Sequence, residues 1–318
     1  MKLPKPMLAP NGEPDLNALR YPIFASHKLD GVRFLIFDGK MYSRNMEPLH
    51  PAVTQYFKPV IDWAQESGVC LDGEIWRPDT PFNTIVSWMA KEDMCPNLWL
   101  YVFDILSIEE WYDPKPWTPF RERASDYTSL CRLWDSDKQF LKPVVQYECE
   151  DVDAVLALQQ EAKRDGLEGL MLKCPNSTYS HSRATEKQNV FWKLKFWDTI
   201  NGRIVGFKQQ RQLTEEAREN NTEKSALGRT KRGHRQGDRE AVDSIGSVEI
   251  EITDGQVFPQ GIRFFAMWSK EAPEIREAMT WENRAEFIGK HVDVEYQGHG
   301  SKDKPRLPRI VRMRPDLD

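Results

Sequence analysis

The sequence has few cysteines and no cysteine pair at metal-binding spacing. Its five cysteines are odd in number and scattered, and no CxxC motif is present. A zinc ribbon or a disulfide framework needs paired cysteines at short spacing, so the sequence argues against both. Unpaired thiols are typical of a reducing compartment, and we expect a cytoplasmic protein.

Long apolar runs are also missing. No run reaches the roughly 18 residues that a membrane-spanning helix needs. The N-terminal segment MKLPKPMLAPNGEP lacks the apolar core of a secretory signal, so we interpret it as mature sequence. The sequence therefore predicts no association with a membrane.

An excess of positive charge is absent as well. The formal net charge is −5, from 44 basic and 49 acidic side chains. This balance does not favour nucleic-acid binding by the protein as a whole. It does not exclude such binding either, because contact with phosphates requires a local basic track rather than a basic total.

The chain is long enough, at 318 residues, for two domains, and its pattern changes near Asp198. Before this point, short β-forming runs alternate with turn signals and helical periods, which predicts an α+β domain over residues 1–197. The segment RFLIFDGKMYS predicts two strands joined by a turn at Asp38 and Gly39. A loose helical period covers residues 51–67, and DVDAVLALQQEAKRDG predicts a helix that ends before Gly166.

The remaining residues, 198–318, predict a smaller all-β domain. Several short strand-like segments within about 120 residues are typical of a barrel of the OB type. A polar stretch over residues 209–240 lacks apolar periodicity, and we expect a mobile insertion there. The predicted architecture is an α+β domain with antiparallel sheets and helices, followed by an all-β OB-fold domain.

Charged and aromatic residues of the first domain occur in short motifs in a fixed order. These motifs are KLDGVR, SRN, LDGEIW, YVFDIL, EGLMLK and WKLK, and most lie on predicted strands. A single four-letter pattern recurs by chance, whereas an ordered series at sensible spacing is specific. The candidate functional residues are Lys28, Asp30, Arg33, Arg44, Glu74, Phe103, Glu168, Lys187, Lys193 and Lys195.

Together the motifs resemble those of the covalent nucleotidyltransferase superfamily, which contains ATP-dependent DNA ligases, RNA ligases and mRNA capping enzymes. The resemblance covers residues 20–197. It implies that Lys28 attacks the α-phosphate of a nucleotide and that Phe103 stacks on the purine. It also implies that Glu74 and Glu168 hold a divalent cation or the ribose hydroxyls, since hard cations prefer oxygen ligands.

The residue types suit such an attack. A free lysine, with a pKa of about 10.4, is almost fully protonated at pH 7, whereas the attacking amine has to be neutral. Neighbouring positive charge favours the neutral form, and Arg33, Arg44, Lys193 and Lys195 supply such charge while binding phosphates. The spacing of Lys193 and Lys195 places both on one face of a strand, where a bound anion relieves their repulsion. Lys187 is a further candidate for the same pocket.

Simpler interpretations of single residues compete with this one. Lys28 alone would be a salt-bridge partner of Asp30, and Glu74 a solvated carboxylate beside a turn. Phe103 on a strand is as much a core candidate as a base-stacking one. Lys173, at a strand end, is interpreted as a surface residue more readily than as a ligand contact.

The C-terminal segment KPRLPRIVRMRPD resembles the last motif of ATP-dependent DNA ligases, a basic strand on the OB domain. By this resemblance, Arg309, Arg312 and Arg314 contact phosphates and orient the leaving pyrophosphate; a basic tail without a partner is the alternative. RNA ligases usually lack this domain. Capping guanylyltransferases have one and remain an alternative, as does a catalytically inactive nucleic-acid-binding protein, which would lack the nucleophile or the carboxylates.

The resemblance predicts a small ATP-dependent DNA ligase of the bacteriophage type, in the host cytoplasm if the source is viral. It implies a monomer that acts on nicked double-stranded DNA with ATP and Mg²⁺ or Mn²⁺, with Asp30 orienting the 3′-hydroxyl. Two positions depart from the family pattern. Ser26 stands two residues before Lys28, where many DNA ligases carry an acid that reads the adenine amino group, and Asp316 is followed by Leu317 rather than lysine.

Overall fold

The computed structural model describes residues 3–90, 97–134, 141–220, 238–269, 273–298 and 303–317. The chain divides into two compact units, of which the first runs to Lys195 and the second begins at Phe196. The first unit combines helices with two sheets, and the second is a closed barrel. The predicted fold class, an α+β domain followed by an all-β OB-type domain, is confirmed.

The first unit contains a five-stranded sheet in the order β3-β2-β4-β5-β6 and a four-stranded sheet in the order β7-β1-β8-β9. Its strands are β1 (Ile23–His27), β2 (Val32–Phe37), β3 (Lys40–Ser43), β4 (Val69–Trp76), β5 (Trp99–Ser107), β6 (Leu141–Pro143), β7 (Tyr147–Cys149), β8 (Gly169–Lys173) and β9 (Phe191–Lys195). Its α-helices are α1 (Pro51–Tyr56), α2 (Lys58–Glu66), α3 (Phe82–Met89), α4 (Ile108–Tyr112), α5 (Phe120–Leu133) and α6 (Val152–Arg164). Across the described residues, we find no helix with the length and apolar character that spanning a bilayer requires.

The hairpin of β2 and β3 forms at the predicted turn. Asp38 and Gly39 have φ values of 49° and 65°, so both central residues adopt the left-handed conformation. A two-residue turn of this kind matches the twist of the flanking strands, and aspartate followed by glycine tolerates it well. The turn sets the register in which Phe34 pairs with Ser43.

The helical period over residues 51–67 is realised as two helices rather than one. The chain breaks at Phe57, between α1 and α2, because Pro59 lies in the first turn of α2 and has no N–H to continue a preceding helix. Val53 and Phe57 remain fully buried, as do Val60 and Ala64 on α2. The apolar period therefore identified the buried face correctly but not the break.

Helix α6 begins and ends where its sequence predicts. The Asp151 carboxylate accepts a hydrogen bond of 2.8 Å from the Ala154 N–H, which satisfies one free donor of the first turn. Lys163 and Arg164 lie in the last turn, where positive charge is favoured. Gly166 follows with a φ of 69°, and the chain turns into β8.

The second unit is a barrel that closes in the order β10-β11-β12-β14-β13. Its strands are β10 (Asp198–Leu213), β11 (Arg239–Ile252), β12 (Arg263–Trp268), β13 (His291–Tyr296) and β14 (Arg309–Met313), with short helices α7 (Glu215–Asn220) and α8 (Pro273–Ala278) between them. Inward-facing aliphatic side chains fill it, among them Ile204, Ile250, Val292 and Ile310, all with no exposed surface. Closure removes the free strand edges that an open sheet would expose.

The predicted mobile insertion over residues 209–240 is partly wrong. Residues 209–213 continue β10, and β11 already begins at Arg239, with Leu213 paired to Arg239. Here the two strands form a two-stranded ribbon held by backbone hydrogen bonds. Neither face of the ribbon is deeply buried, so its sequence does not need to alternate apolar and polar side chains. Residues 221–237 lie outside the described part of the chain.

Strand registers bring the motif residues of the first unit to facing positions. Arg33 on β2 is opposite Glu74 on β4. Met171 on β8 is opposite Ser26 on one side and Lys193 on the other. Strand pairing therefore places residues that are distant in sequence next to one another within each sheet.

Candidate active site

The two sheets of the first unit line a pocket of about 720 Å³. Its wall carries both basic and apolar side chains. The basic residues are Lys5, Lys28, Arg33, Arg44, Lys173, Arg183 and Lys193, and the apolar ones include Phe103, Phe120, Val144 and Met171. A ligand that has both an anionic group and a flat apolar ring matches this combination of side chains.

Lys28 enters the pocket directly after β1. Its backbone N–H donates to the Gly169 carbonyl at 2.9 Å, which extends the β1–β8 pairing by one residue. Gly31 in the same motif is required by a close approach of two backbones. A Cβ placed there would lie 2.2 Å from the Ile75 carbonyl oxygen and 2.8 Å from the Glu74 side chain.

Glu168 lies between two lysines of the site. Its Oε2 atom is 2.5 Å from Lys28 Nζ, and its Oε1 atom is 3.4 Å from Lys195 Nζ. The carboxylate is buried, whereas both lysine side chains retain about a quarter or less of their exposure. Glu168 therefore fixes the position of the Lys28 amine and joins the EGLMLK motif to the WKLK motif.

Lys193 differs from its neighbour on β9. In the part of the chain that the structure describes, its amine has neither an ion-pair partner nor a hydrogen-bond acceptor. Burial lowers the pKa of Lys193, and the positive charges of Arg183, Lys195, Arg44 and Lys28 lower it further. An amine in this setting favours binding of an anion that supplies the missing negative charge.

Glu74 lies in the same pocket, on β4. Burial raises its pKa to about 8, against the opposing influence of Lys28 and Arg33. The described residues contain no group of three or more His, Cys, Asp or Glu side chains that would bind a metal ion by themselves. The predicted metal role of Glu74 and Glu168 stays a prediction, and a cation bound there would need further oxygen ligands from phosphates or water.

The Arg33 side chain is already paired within the protein, whereas the sequence predicted that it would be available to bind phosphates. Its guanidinium binds both oxygens of Asp72, at 2.8 and 2.6 Å, and lies over the Phe103 ring at 5.2 Å. Tyr179 also donates to Asp72, at 2.7 Å. Although burial acts in the other direction, the charge of Asp72 raises the Arg33 pKa above its ordinary value. Asp72 neutralises Arg33, and the predicted role of Arg33 as a phosphate ligand stays a prediction.

A second buried network surrounds Asp104, the residue after Phe103. Arg123 binds its two oxygens at 2.6 and 3.2 Å, and Lys173 donates to it as well. Lys173 is only 6% exposed and lies 4.0 Å from the Phe120 ring centroid, so the surface interpretation of Lys173 is wrong. Burial lowers the pKa of Lys173 to about 8, because Asp104 offsets only part of the lost hydration.

Replacing Asp104 by asparagine is expected to lower the free energy of unfolding by about 3–5 kcal/mol, since it leaves two buried cations without their carboxylate. Urea unfolding of the two proteins measures this. The matched control is Asp62→Asn, which removes an exposed pair with Lys58 and should change the free energy by at most about 0.5 kcal/mol. Equal stability of the D104N protein and the parent would contradict the assignment.

The same substitution has a predicted pH signature. Burial alone would raise the pKa of Asp104, but Arg123 and Lys173 outweigh it and lower the pKa from 3.8 to about 2. The pKa of Asp104 in the folded protein lies below its pKa in the unfolded chain. The ionised carboxylate therefore stabilises the fold fully above pH 4, and this stabilisation is lost as the pH falls through 2. The D104N protein should therefore lose less stability than the parent between pH 4 and pH 2.

The other predicted residues occupy varied positions. Phe103 is half-buried in the pocket wall, and Arg44 reaches the pocket from an exposed position after β3. Asp30 is half-buried in the loop between β1 and β2. Lys187 lies exposed on a 3₁₀ turn, and among the described residues it does not line the pocket. Its role as a phosphate ligand stays a prediction.

The three C-terminal arginines lie in the second unit, on and just after β14. Arg309 binds Glu295 at 2.7 Å and lies 3.8 Å from the Trp197 ring centroid. Arg312 and Arg314 share the buried Asp293, at 2.5 and 3.0 Å. These residues form a structured strand rather than a basic tail, and their predicted role at the pyrophosphate is untested.

Residues 6–195, more than half of the chain, match the family model described as the ATP-dependent DNA ligase domain. The chain belongs to the ATP-dependent DNA ligase family. A DNA ligase from Natronomonas pharaonis is 30% identical over 175 residues, which cover 48% of this chain and 29% of that protein. The matched region is thus less than a third of that curated relative.

Solved ligase structures share the fold. Pmar-Lig_PreS3 superposes with a TM-score of 0.70 at 18% identity, over 99% of this chain and 68% of that one. A structure from a study of Lig E DNA ligases gives a TM-score of 0.64 at 19% identity, over 96% of this chain and 98% of that one. The likeness extends over both units, which supports the predicted fold of each.

Proposed function

We propose that this chain is an ATP-dependent DNA ligase that seals nicks in double-stranded DNA through a lysyl-AMP intermediate. The observation that carries the proposal is the position of the Lys28 amine. It lies beside a pocket whose basic side chains suit a triphosphate and whose apolar side chains suit a purine, and Glu168 holds it at 2.5 Å. Membership of the family supports the same reaction.

Three phosphoryl transfers make up the reaction. Lys28 Nζ, as a neutral amine, attacks the α-phosphorus of ATP, an N–P bond forms, the bond to the β-phosphate oxygen breaks, and pyrophosphate leaves. The 5′-phosphate at a nick then attacks the same phosphorus and takes the AMP from the lysine. Finally the 3′-hydroxyl attacks the activated 5′-phosphate, closes the backbone and releases AMP. Positioning and charge neutralisation dominate such transfers.

Side chains in and beside the pocket divide this work. Lys193, Lys195 and Arg44 bind the phosphates, and Phe103 stacks on the base. Glu168 orients the nucleophile, and Asp30 orients the 3′-hydroxyl in the last step. The basic charge brings the amine and the α-phosphate together without requiring a strongly basic protein overall.

Mg²⁺ or Mn²⁺ would be held by Glu74 and Glu168 together with the phosphates of ATP. When bound, a divalent ion neutralises charge that develops on the phosphoryl oxygens. Burial raises the pKa of Glu74, and a cation bound beside it would favour the ionised carboxylate. Removal of divalent ions with EDTA should therefore reduce adduct formation.

A short incubation with α-labelled ATP or GTP, followed by a denaturing gel, tests the proposed function. A ligase is expected to retain label from ATP and to transfer it to a nicked duplex. Label retained from GTP in preference would support a capping guanylyltransferase. Label retained from neither nucleotide would support an inactive nucleic-acid-binding protein, although Lys28, Glu74 and Glu168 are all present.

A further inference from the structure

The apolar part of the pocket contains a small set of neutral polar side chains. Ser26, His27 and Gln146 line the pocket together with Phe103, Val144 and Met171. A base bound against the apolar wall would present its ring substituents to these polar groups. Each of these three side chains is therefore a candidate hydrogen-bond partner of the base.

Gln146 lies where the two sheets meet. Val144, after β6, donates its N–H to the Val102 carbonyl at 2.8 Å and so belongs to the five-stranded sheet. Tyr147 begins β7 and pairs with Ala25 on β1. Continuing that register by one residue places Gln146 beside Ser26, two residues before Lys28.

A buried tyrosine fixes the orientation of the Gln146 amide. The Tyr127 hydroxyl is fully buried and donates its proton to the Val144 carbonyl at 2.9 Å, since a carbonyl only accepts. Gln146 Nε2 is 3.0 Å from the same hydroxyl oxygen, which is left to act as acceptor. The NH₂ group of Gln146 must therefore face Tyr127. Burial raises the pKa of Tyr127, so the hydroxyl keeps its proton near neutrality.

The Gln146 carbonyl oxygen is consequently the group available to a ligand. Within the described residues, no hydrogen bond reaches Oε1 of Gln146. The oxygen is an acceptor only, and Tyr127 prevents the amide from inverting to present a donor instead. Ser26 and His27 lack this constraint, because a hydroxyl and an imidazole each donate or accept according to their partner.

We propose that Gln146 Oε1 accepts a hydrogen bond from the 6-amino group of the purine, and that Tyr127 is a positioning residue that sets this selectivity. The inference rests on the proposed function, since it assumes a nucleotide in this pocket. A 6-oxo purine instead places its carbonyl oxygen, which is an acceptor, against Gln146 Oε1, which is also an acceptor. Neither oxygen then receives a hydrogen bond. The site therefore selects adenine over guanine and hypoxanthine although position 26 is a serine.

Three nucleotides that differ at position 6 test the proposal. ATP carries an amino group there, inosine triphosphate an oxo group, and purine riboside triphosphate only hydrogen. The rate of lysyl-nucleotide formation should favour ATP over purine riboside triphosphate by about 3- to 10-fold, the value of one hydrogen bond. It should favour ATP over inosine triphosphate by at least about 10-fold, because two acceptors then oppose each other.

Gln146→Leu should bring the rates for ATP and purine riboside triphosphate within about 2-fold of each other, since the hydrogen bond is gone. Gln160→Leu, on an exposed position of α6, is the matched control and should leave all ratios unchanged. An undiminished preference for ATP in the Q146L protein would overturn the proposal.

Tyr127→Phe provides a second variant, which removes one hydroxyl and keeps the ring. The freed amide can invert and donate to a 6-oxo group, so use of inosine triphosphate relative to ATP should rise at least about 3-fold. A merely structural role for Tyr127 would lower the rates for all nucleotides together. If a folded Y127F protein shows an unchanged ratio of inosine triphosphate to ATP use, the role of Tyr127 is contradicted. If the Q146L protein does not fold, this result for Y127F overturns the whole proposal. If the parent forms no adduct with any nucleotide, the proposed function fails first and the selectivity proposal with it.

Discussion

Replacing Lys28 by alanine is expected to abolish the covalent adduct with AMP and all sealing that starts from ATP, a loss of at least about 10⁴-fold. The amine that forms the N–P bond is then absent, and no other described lysine is held against Glu168 at so short a distance. Intact mass spectrometry after incubation with ATP and Mg²⁺ measures the adduct directly.

The Lys28→Ala protein should still close a nick that already carries AMP on its 5′-phosphate, because the last step does not use the lysine as nucleophile. Lys58→Ala is the matched control, since Lys58 is exposed and pairs with Asp62 on α2. Its adduct formation should equal that of the parent. A normal lysyl-AMP adduct in the K28A protein would refute the nucleophile assignment.

Glu168→Ala is expected to slow adduct formation by on the order of 100-fold or more, by analogy with removal of one charge-stabilising group from an active site. The carboxylate positions the Lys28 amine and balances Lys195. Without it, the amine has more freedom, and the divalent ion of the proposed mechanism loses one of its proposed ligands. Single-turnover rates at saturating Mg²⁺ and ATP measure the effect.

Glu148→Ala is the control for this experiment. Glu148 forms an exposed pair with Arg121, and such pairs contribute little to stability or activity. Urea unfolding should show that both variants remain folded, which separates a catalytic loss from a structural one. A Glu168→Ala protein that forms the adduct at nearly the parent rate would remove Glu168 from the mechanism.

Much of the fold could be predicted from the sequence, because local signals and packing agree. The turn at Asp38 and Gly39, the ends of α6 and the barrel strands all follow from residue types that have one favourable local conformation. The break at Phe57 could have been found from Pro59. The ribbon over residues 209–213 could not, because polar strands that pair mainly through their backbones carry no apolar period.

The site was predicted less completely. Motif order located Lys28, Glu74, Glu168 and Lys193, and the structure brings them to one region. The buried partners Asp72 and Arg123 were missed. Asp72 had a weak signal, since it lies two residues before Glu74 on the same strand and thus on the same face. Arg123 had none, because its pairing with Asp104 depends on how α5 packs against β5.

Gln146 and Tyr127 illustrate the same limit. Neither lies in a recognisable motif, and the interval between them contains β6. The proton of a tyrosine hydroxyl decides which end of an amide faces the pocket, and this follows only from the three-dimensional network. Base selectivity is therefore a property that the motifs alone leave open.

The most direct test of the account is a single round of sealing by purified lysyl-AMP protein. The protein is freed of ATP and mixed with Mg²⁺ and a duplex that carries one nick with a 5′-phosphate and a 3′-hydroxyl. The account predicts that the adduct disappears and that each molecule of adduct gives one joined strand and one AMP. An adduct that persists in the presence of the nick, with no joined DNA, would contradict it.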